Sequence, residues 1–262
     1  MPDASPPVRA SLFVTCIIDQ LYPEVGESTV SVLRRLGVDL DFPSGQTCCG
    51  QPAFNAGFWN DAKPLARRTI DTLQSERYVV VPSGSCASMM RVFYAELFHD
   101  EPEMQSRIAS LASRTFELSE FIVDVLGITD VGSYASTDAS KSKRKVTYHE
   151  GCHLRRELGA LTQPRALLNS LPGLELVEMD QSEVCCGFGG TFSVKYSDIS
   201  GAILNDKINF AANTGAESLT ACDSSCLMHI GGGIQKRGVP IRPVHLATLI
   251  DEQLSGTVPD AS

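Results

Sequence analysis

Eight of the nine cysteines in this chain fall into two sets of four with the same order: Cys16, Cys48, Cys49 and Cys86, then Cys152, Cys185, Cys186 and Cys226. The step from Cys16 to Cys48 is 32 residues and that from Cys152 to Cys185 is 33; Cys49 to Cys86 is 37 and Cys186 to Cys226 is 40. Each vicinal pair is followed by glycine, Gly50 or Gly187. Such spacing describes a duplicated half in which each copy gathers four thiols. The 262 residues leave roughly 130 per copy, enough for a modest core in each.

Apolar periodicity alternates strands and helices in the same order twice. Residues 8–15 read as a buried strand running up to Cys16, 24–36 as an amphipathic helix closed by Gly37, and 38–42 as a strand. A helix at 60–74, the strand Tyr78–Val81 and a helix at 86–98 follow. In the second half the strands are 145–149, 174–179 and Ser218–Ala221, and the helices 165–171, 198–212 and 226–234. Similar segments, 116–126 and 241–251, close the two halves. The pattern predicts an α/β protein of two pseudo-repeated cysteine-rich domains, each a small, mostly parallel sheet flanked by helices. The expected limits are 1–129 and 145–262, joined by an exposed linker at 130–144 rich in Ser, Asp and Lys. The cysteines fall just after strands, at the carboxyl edge where parallel sheets hold their ligands.

Vicinal cysteines suit a polynuclear centre better than a single ion. Two thiolates leaving adjacent backbone positions reach one tetrahedral metal only with strain, whereas each can take its own iron in a cluster. Gly50 and Gly187 let the chain turn at positive φ and bring N–H groups to sulfur, and Cys86 and Cys226 open helices whose first turns favour a thiolate. Four thiolates per half is the count that a [4Fe–4S] cluster takes, giving one cluster per domain. Zinc on four cysteines is the alternative, although zinc sites usually use close pairs two to four residues apart. Disulfides or metal-free dithiols fit least.

Cys222 has no partner in the first half, where Pro82 takes its place; it reads as a buried small residue, with an extra ligand as the alternative. His149, His153 and His229 stand opposite Phe13, Ile17 and Met89, and read as hydrogen-bonding or packing groups around the second site. Arg155, Arg156 and Lys195 could meet an anion there, but they read first as solvated charges on helix faces. No dinucleotide or phosphate-loop pattern and no compact ferredoxin run is present. A net charge of −9 argues against nucleic acid or an anionic membrane as partner. No apolar run approaches a membrane span, and the first ten residues lack a signal-like apolar stretch, so the expected location is the cytoplasm, where thiols stay reduced.

The segments QTCCGQPAFNAG, VPSGSC, YHEGCHLRRELG, EVCCGFGGTFSVK and DSSCLMHI carry a family likeness over nearly the whole chain. The chain resembles the cysteine-rich CCG-domain iron–sulfur proteins and, among them, the lactate utilisation protein A family. That resemblance implies a non-flavin redox subunit of a three-protein system oxidising L-lactate to pyruvate. Cys16, Cys48, Cys49 and Cys86 would serve one cluster and the other four the second. Its partners would be a ferredoxin-like iron–sulfur protein and a third small subunit, with a small 2-hydroxy acid as substrate of the complex. More distant likenesses leave two alternatives, a heterodisulfide or thiol–disulfide reductase-type catalytic subunit and a glycolate oxidase iron–sulfur subunit; a zinc-bearing assembly module is the remaining one. Heterodisulfide reductase-type copies carry a fifth cysteine in a closing C-x-x-C pair; Ser83 and Asp223 stand there instead.

Overall fold

A computed structural model describes residues 6–135 and 143–256. Two four-stranded parallel sheets form from strands of three to five residues. The first sheet has β1 (Arg9–Leu12), β2 (Asp39–Asp41), β3 (Tyr78–Val81) and β4 (Thr115–Glu117) in the order β2-β1-β3-β4. The second repeats it as β6-β5-β7-β8, with β5 (Arg144–Tyr148), β6 (Leu174–Leu176), β7 (Ser218–Ala221) and β8 (Arg242–His245). Parallel pairing requires helical crossovers. The helices Pro23–Arg35 and Trp59–Thr72, and then the segment ending in Pro102–Ser113, supply them in the first half, and Gln163–Ser170, Ser197–Asn213 and Ser224–Arg237 in the second.

Along β3 the side chains alternate between two cores, as the period of a strand dictates. Val79 and Val81 face an outer core with Phe13, Met89 and Tyr94, while Val80 faces inward. The inward faces of both sheets meet in one continuous core that joins Ala10, Leu118 and Ile122 to Val146, Tyr148, Leu246 and Ile250. Helix Pro23–Arg35 of the first half buries Val25, Val32 and Leu33 against helix Leu246–Ser255 of the second. Ser31 Oγ donates to Asp251 Oδ1 at 2.6 Å, and Arg35 Nη1 to Leu254 O at 2.9 Å, fixing that crossing.

Several details differ from the sequence pattern. β1 and β6 stop short of 8–15 and 174–179, because the chain leaves each sheet early to deliver its cysteines. The helix expected at 86–98 is Gly84–Ser88, a widened turn at Met89–Phe93 and Tyr94–Leu97. A further helix, Pro102–Ser113, has no equivalent in the second half. The similar closing segments become β4 with the turns Leu118–Glu120 and Phe121–Val125, and β8 with Leu246–Ser255. Where an exposed linker is expected, Val131–Tyr134 forms a 3-10 turn whose Val131 is fully buried and whose amide donates to Ser170 Oγ at 3.1 Å. The rest of that linker, 136–142, lies outside the described residues. Among those described, no helix is long and apolar enough to cross a membrane.

A core shared between halves should melt as one unit. In reducing guanidinium titrations of the metal-free protein, Trp59 fluorescence, reporting the first half, and far-UV circular dichroism should give coincident transitions. Leu33→Ala should lower stability by about 2–5 kcal/mol on both probes. Separated transitions would contradict the shared core.

Candidate metal centres

Each cysteine reaches its site from a strand end. Cys16 starts helix Cys16–Leu21 behind Thr15, whose Oγ1 accepts from the amide of Ile18. Cys152 opens the turn after β5, and the vicinal pairs lie in the loops after β2 and β6. Cys86 and Cys226 are the third residues of helices Gly84–Ser88 and Ser224–Arg237, so their sulfurs sit at the positive end of a helix. In the first half the thiols form a hydrogen-bonded chain Cys16–Cys48–Cys49–Cys86, with Cys49 Sγ 3.3 Å from Cys86 Sγ. The second half repeats it as Cys152–Cys185–Cys186–Cys226. All eight line one cleft of about 110 Å³ that crosses between the halves.

The glycines after the pairs hold the chain in the left-handed region, both at φ +90°. Gly50 N donates to Cys48 Sγ at 3.5 Å and Gly187 N to Cys185 Sγ at 3.3 Å. Together with their thiol neighbours, these donors favour the charged form of the second sulfur in each set, Cys48 or Cys185. Hydrogen bonds from Cys16 and then Cys49 draw Cys48 down to about 3. Those from Cys152 and Cys186 draw Cys185 down to about 2. Donating to these anions pushes Cys16 and Cys152 up, and Cys49 and Cys186 rise for the same reason.

Profiles of known families recognise this arrangement. The CCG cysteine-rich domain matches residues 10–91 and again 146–231, one match around each cysteine set. Lactate utilization protein A of Halalkalibacterium halodurans is 45% identical over 94% of this chain and 98% of its own length. The protein of that name from Bacillus subtilis is 44% identical over 94% and 100%, and that from an Exiguobacterium species 46% over 93% and 97%. The chain belongs to the lactate utilization protein A family.

All nine cysteines are free thiols, and four soft sulfurs converge in each half. The sulfurs hold one another only through weak S–H donors, and each set carries a half-buried sulfur, Cys48 or Cys185, drawn toward its charged form. A cationic iron–sulfur or zinc centre fits that environment in both halves.

The second half differs from the first around its sulfurs. His149 is fully buried and neither ring nitrogen has a hydrogen-bond partner. One ring nitrogen and the Sγ atoms of Cys186 and Cys226 all lie within 4.8 Å of one another. Burial, with the charge of Lys207 added, holds its imidazole down at about 4. His153 Nδ1 lies 3.6 Å from Cys152 Sγ, and its ring meets Phe93 of the first half edge-on at 6.1 Å. His229 Nε2 lies 3.2 Å from Ser200 Oγ, which donates to Gly187 O at 2.8 Å.

Cys222 sits apart from these sulfurs. Its Sγ lies 3.8 Å from Tyr148 Oη in the shared core, and it does not line the cleft. Arg155 is taken up by Glu150 at 2.9 Å, while Arg156 and Lys195 are exposed and also outside the cleft. Two features escaped sequence reasoning. Lys207 is fully buried, donating to Gln181 O at 2.8 Å and Ser182 O at 3.1 Å; its position on the buried stripe with Ser200, Ile208 and Ala211 was the available signal. Ser83 Oγ donates to Asp223 Oδ1 at 2.7 Å, so the two positions lacking a fifth cysteine bond to each other across the halves. Beside them Glu117 is fully buried with Oε1 unpartnered, and burial raises its carboxyl to about 8.

Two outcomes follow for the metal-free protein. A Cβ at Gly187 would lie 2.7 Å from Ser200 O, against 3.2 Å between a Cβ at Gly50 and Ala62 O. Gly187→Ala should therefore cost about 1–3 kcal/mol in denaturant titrations, and more than Gly50→Ala. Glu117 binds its proton more tightly folded than unfolded, so its contribution is complete below about pH 4.5 and is lost as pH rises through about 8. Glu117→Gln should flatten the fall in stability over that window and stabilise the protein at pH 8, read from unfolding midpoints at each pH.

Proposed function

We propose that this chain is an iron–sulfur electron-transfer subunit of a multi-component system oxidising L-lactate to pyruvate. The observation that carries the reading is the convergence of two equivalent four-cysteine sets on one cleft. Cys16, Cys48, Cys49 and Cys86 would hold one [4Fe–4S] cluster, and Cys152, Cys185, Cys186 and Cys226 the other. Bound there, each cluster supplies one-electron donation and acceptance. The chain's own part is to pre-form a thiolate at Cys48 and Cys185, aim the N–H groups of Gly50 and Gly187 at sulfur, and pack apolar side chains behind the sites.

The relatives' name supports lactate utilisation as the setting, and their coverage supports the whole chain as the functional unit. The reading includes domain limits at 1–129 and 145–262 around a linker at 130–144, a cytoplasmic location, and a ferredoxin-like iron–sulfur protein and a third small subunit as partners. The Ser83–Asp223 bond, standing where reductase-type copies carry cysteines, favours four ligands per site.

Anaerobic purification should yield a brown protein with about eight iron and about eight sulfide per chain, the content of two [4Fe–4S] clusters. Cys185→Ser should lose about half of both and reduce lactate-dependent electron transfer in the reconstituted system by about 10–100-fold or more. Stoichiometric zinc without sulfide would overturn the reading.

A further inference from the structure

We infer that the two centres are inequivalent: His149 and Lys207 make the second-half site the more readily reduced, so an electron shared between the halves rests there. The inference builds on the iron–sulfur reading above and adds a direction to it.

Equivalent positions can be matched residue for residue. Phe13 N donates to Val80 O at 2.9 Å and His149 N to Thr220 O at 2.8 Å, the same bond at the same strand end. A Cβ at Gly50 would face Ala62 O and Leu65, and one at Gly187 would face Ser200 O and Ile203. Ala62 thus matches Ser200 and Leu65 matches Ile203. Four residues further along each helix, Thr69 matches Lys207.

Around the first site these two positions carry nothing positive. Phe13 is a fully buried hydrocarbon ring, and Thr69 Oγ1 returns its hydrogen bond to Leu65 O at 3.1 Å. Around the second site one position carries an N–H donor and the other a cation. A neutral imidazole keeps one N–H, and buried donors are almost always paired. The sulfurs of Cys186 and Cys226 lie within 4.8 Å of one His149 ring nitrogen. Lys207 is buried with two of its three donors on carbonyl oxygens, and among the described residues no carboxylate lies within ion-pair distance of it. Burial lowers its ammonium to about 8, against the opposing pull of Cys186, Glu183, Cys185 and Cys226. A buried cation is tolerated only beside compensating negative charge, which the cysteine sulfurs supply together with Glu183.

Reduction adds one negative charge to a centre. An N–H donor and a nearby cation both stabilise the more negative state, and hydrogen bonds to sulfur with local charge are the means by which a protein sets cluster potential. The step balances as a one-electron transfer in which the first-half centre is oxidised and the second-half centre reduced, with no bond made or broken.

The test is a redox titration of the anaerobically purified full chain followed by EPR, with iron and sulfide measured on every sample. Two waves are expected, and Cys48→Ser should remove the lower one. His149→Phe, which copies the first half, should move only the upper wave downward, by at least about tenfold in electron partition or about 59 mV for a one-electron couple. Lys207→Thr should do the same, and Phe13→His should raise the lower wave; these keep the inference testable if one variant fails to fold. Iron and sulfide should stay at wild-type levels in His149→Phe, since a donor can go without losing a ligand. Waves that stay put or shift together, or iron lost from His149→Phe, overturn the inference while leaving the iron–sulfur reading intact. A wild-type protein without iron and sulfide overturns both.

Discussion

The sites of this protein are arranged around the cost of holding charged sulfur partly out of water. A charged sulfur removed from water is tolerated only with donors or cations close by. Each half meets that demand the same way. Parallel strands end at one edge, a glycine at positive φ folds an N–H back onto the middle sulfur, and a helix begins beneath the last cysteine. The short strands and long crossovers follow from the same demand, since four sulfurs from three separate chain segments must arrive at one edge.

Joining two such halves creates a second constraint. The edges that carry the sulfurs face each other, so the polar groups behind them must be satisfied across the boundary. Asp223 does this from the second half, accepting from Ser83 Oγ and from Ser85 N at 3.1 Å. The continuous core beneath, with helix Pro23–Arg35 crossing Leu246–Ser255, fixes the relative placement of the two sites. Placement therefore depends on ordinary hydrophobic packing at a distance from the sulfurs.

Much of this was legible in the sequence where local signals agree. Tyr78–Val81 and Ser218–Ala221 read correctly as strands because each is a short run bounded by turn residues and buried on both faces. The eight cysteines and two glycines were readable from spacing alone, because a duplicated pattern gives each position a second witness. What stayed hidden was non-local. Val131 lies in a segment whose composition signals exposure, yet one valine is enough to anchor a turn in the shared core. Ser83 and Asp223 are each unremarkable, and their bond joins positions 140 residues apart. Lys207 was hidden by its type, since lysine on a helix is normally read as solvated.

Duplication also explains why the asymmetry matters. Two identical halves facing one cleft would hold an electron with equal preference, and nothing in their geometry would give it a direction. Departures from the repeat are then the informative positions. Phe13 against His149, Thr69 against Lys207 and Met89 against His229 all add polarity or charge on the same side. None of these second-half groups belongs to the cysteine framework, so they could diverge without disturbing the fold that gathers the thiols. The scaffold sets where charge can reside, and the few unmatched side chains beside it set which of the two places holds it more firmly.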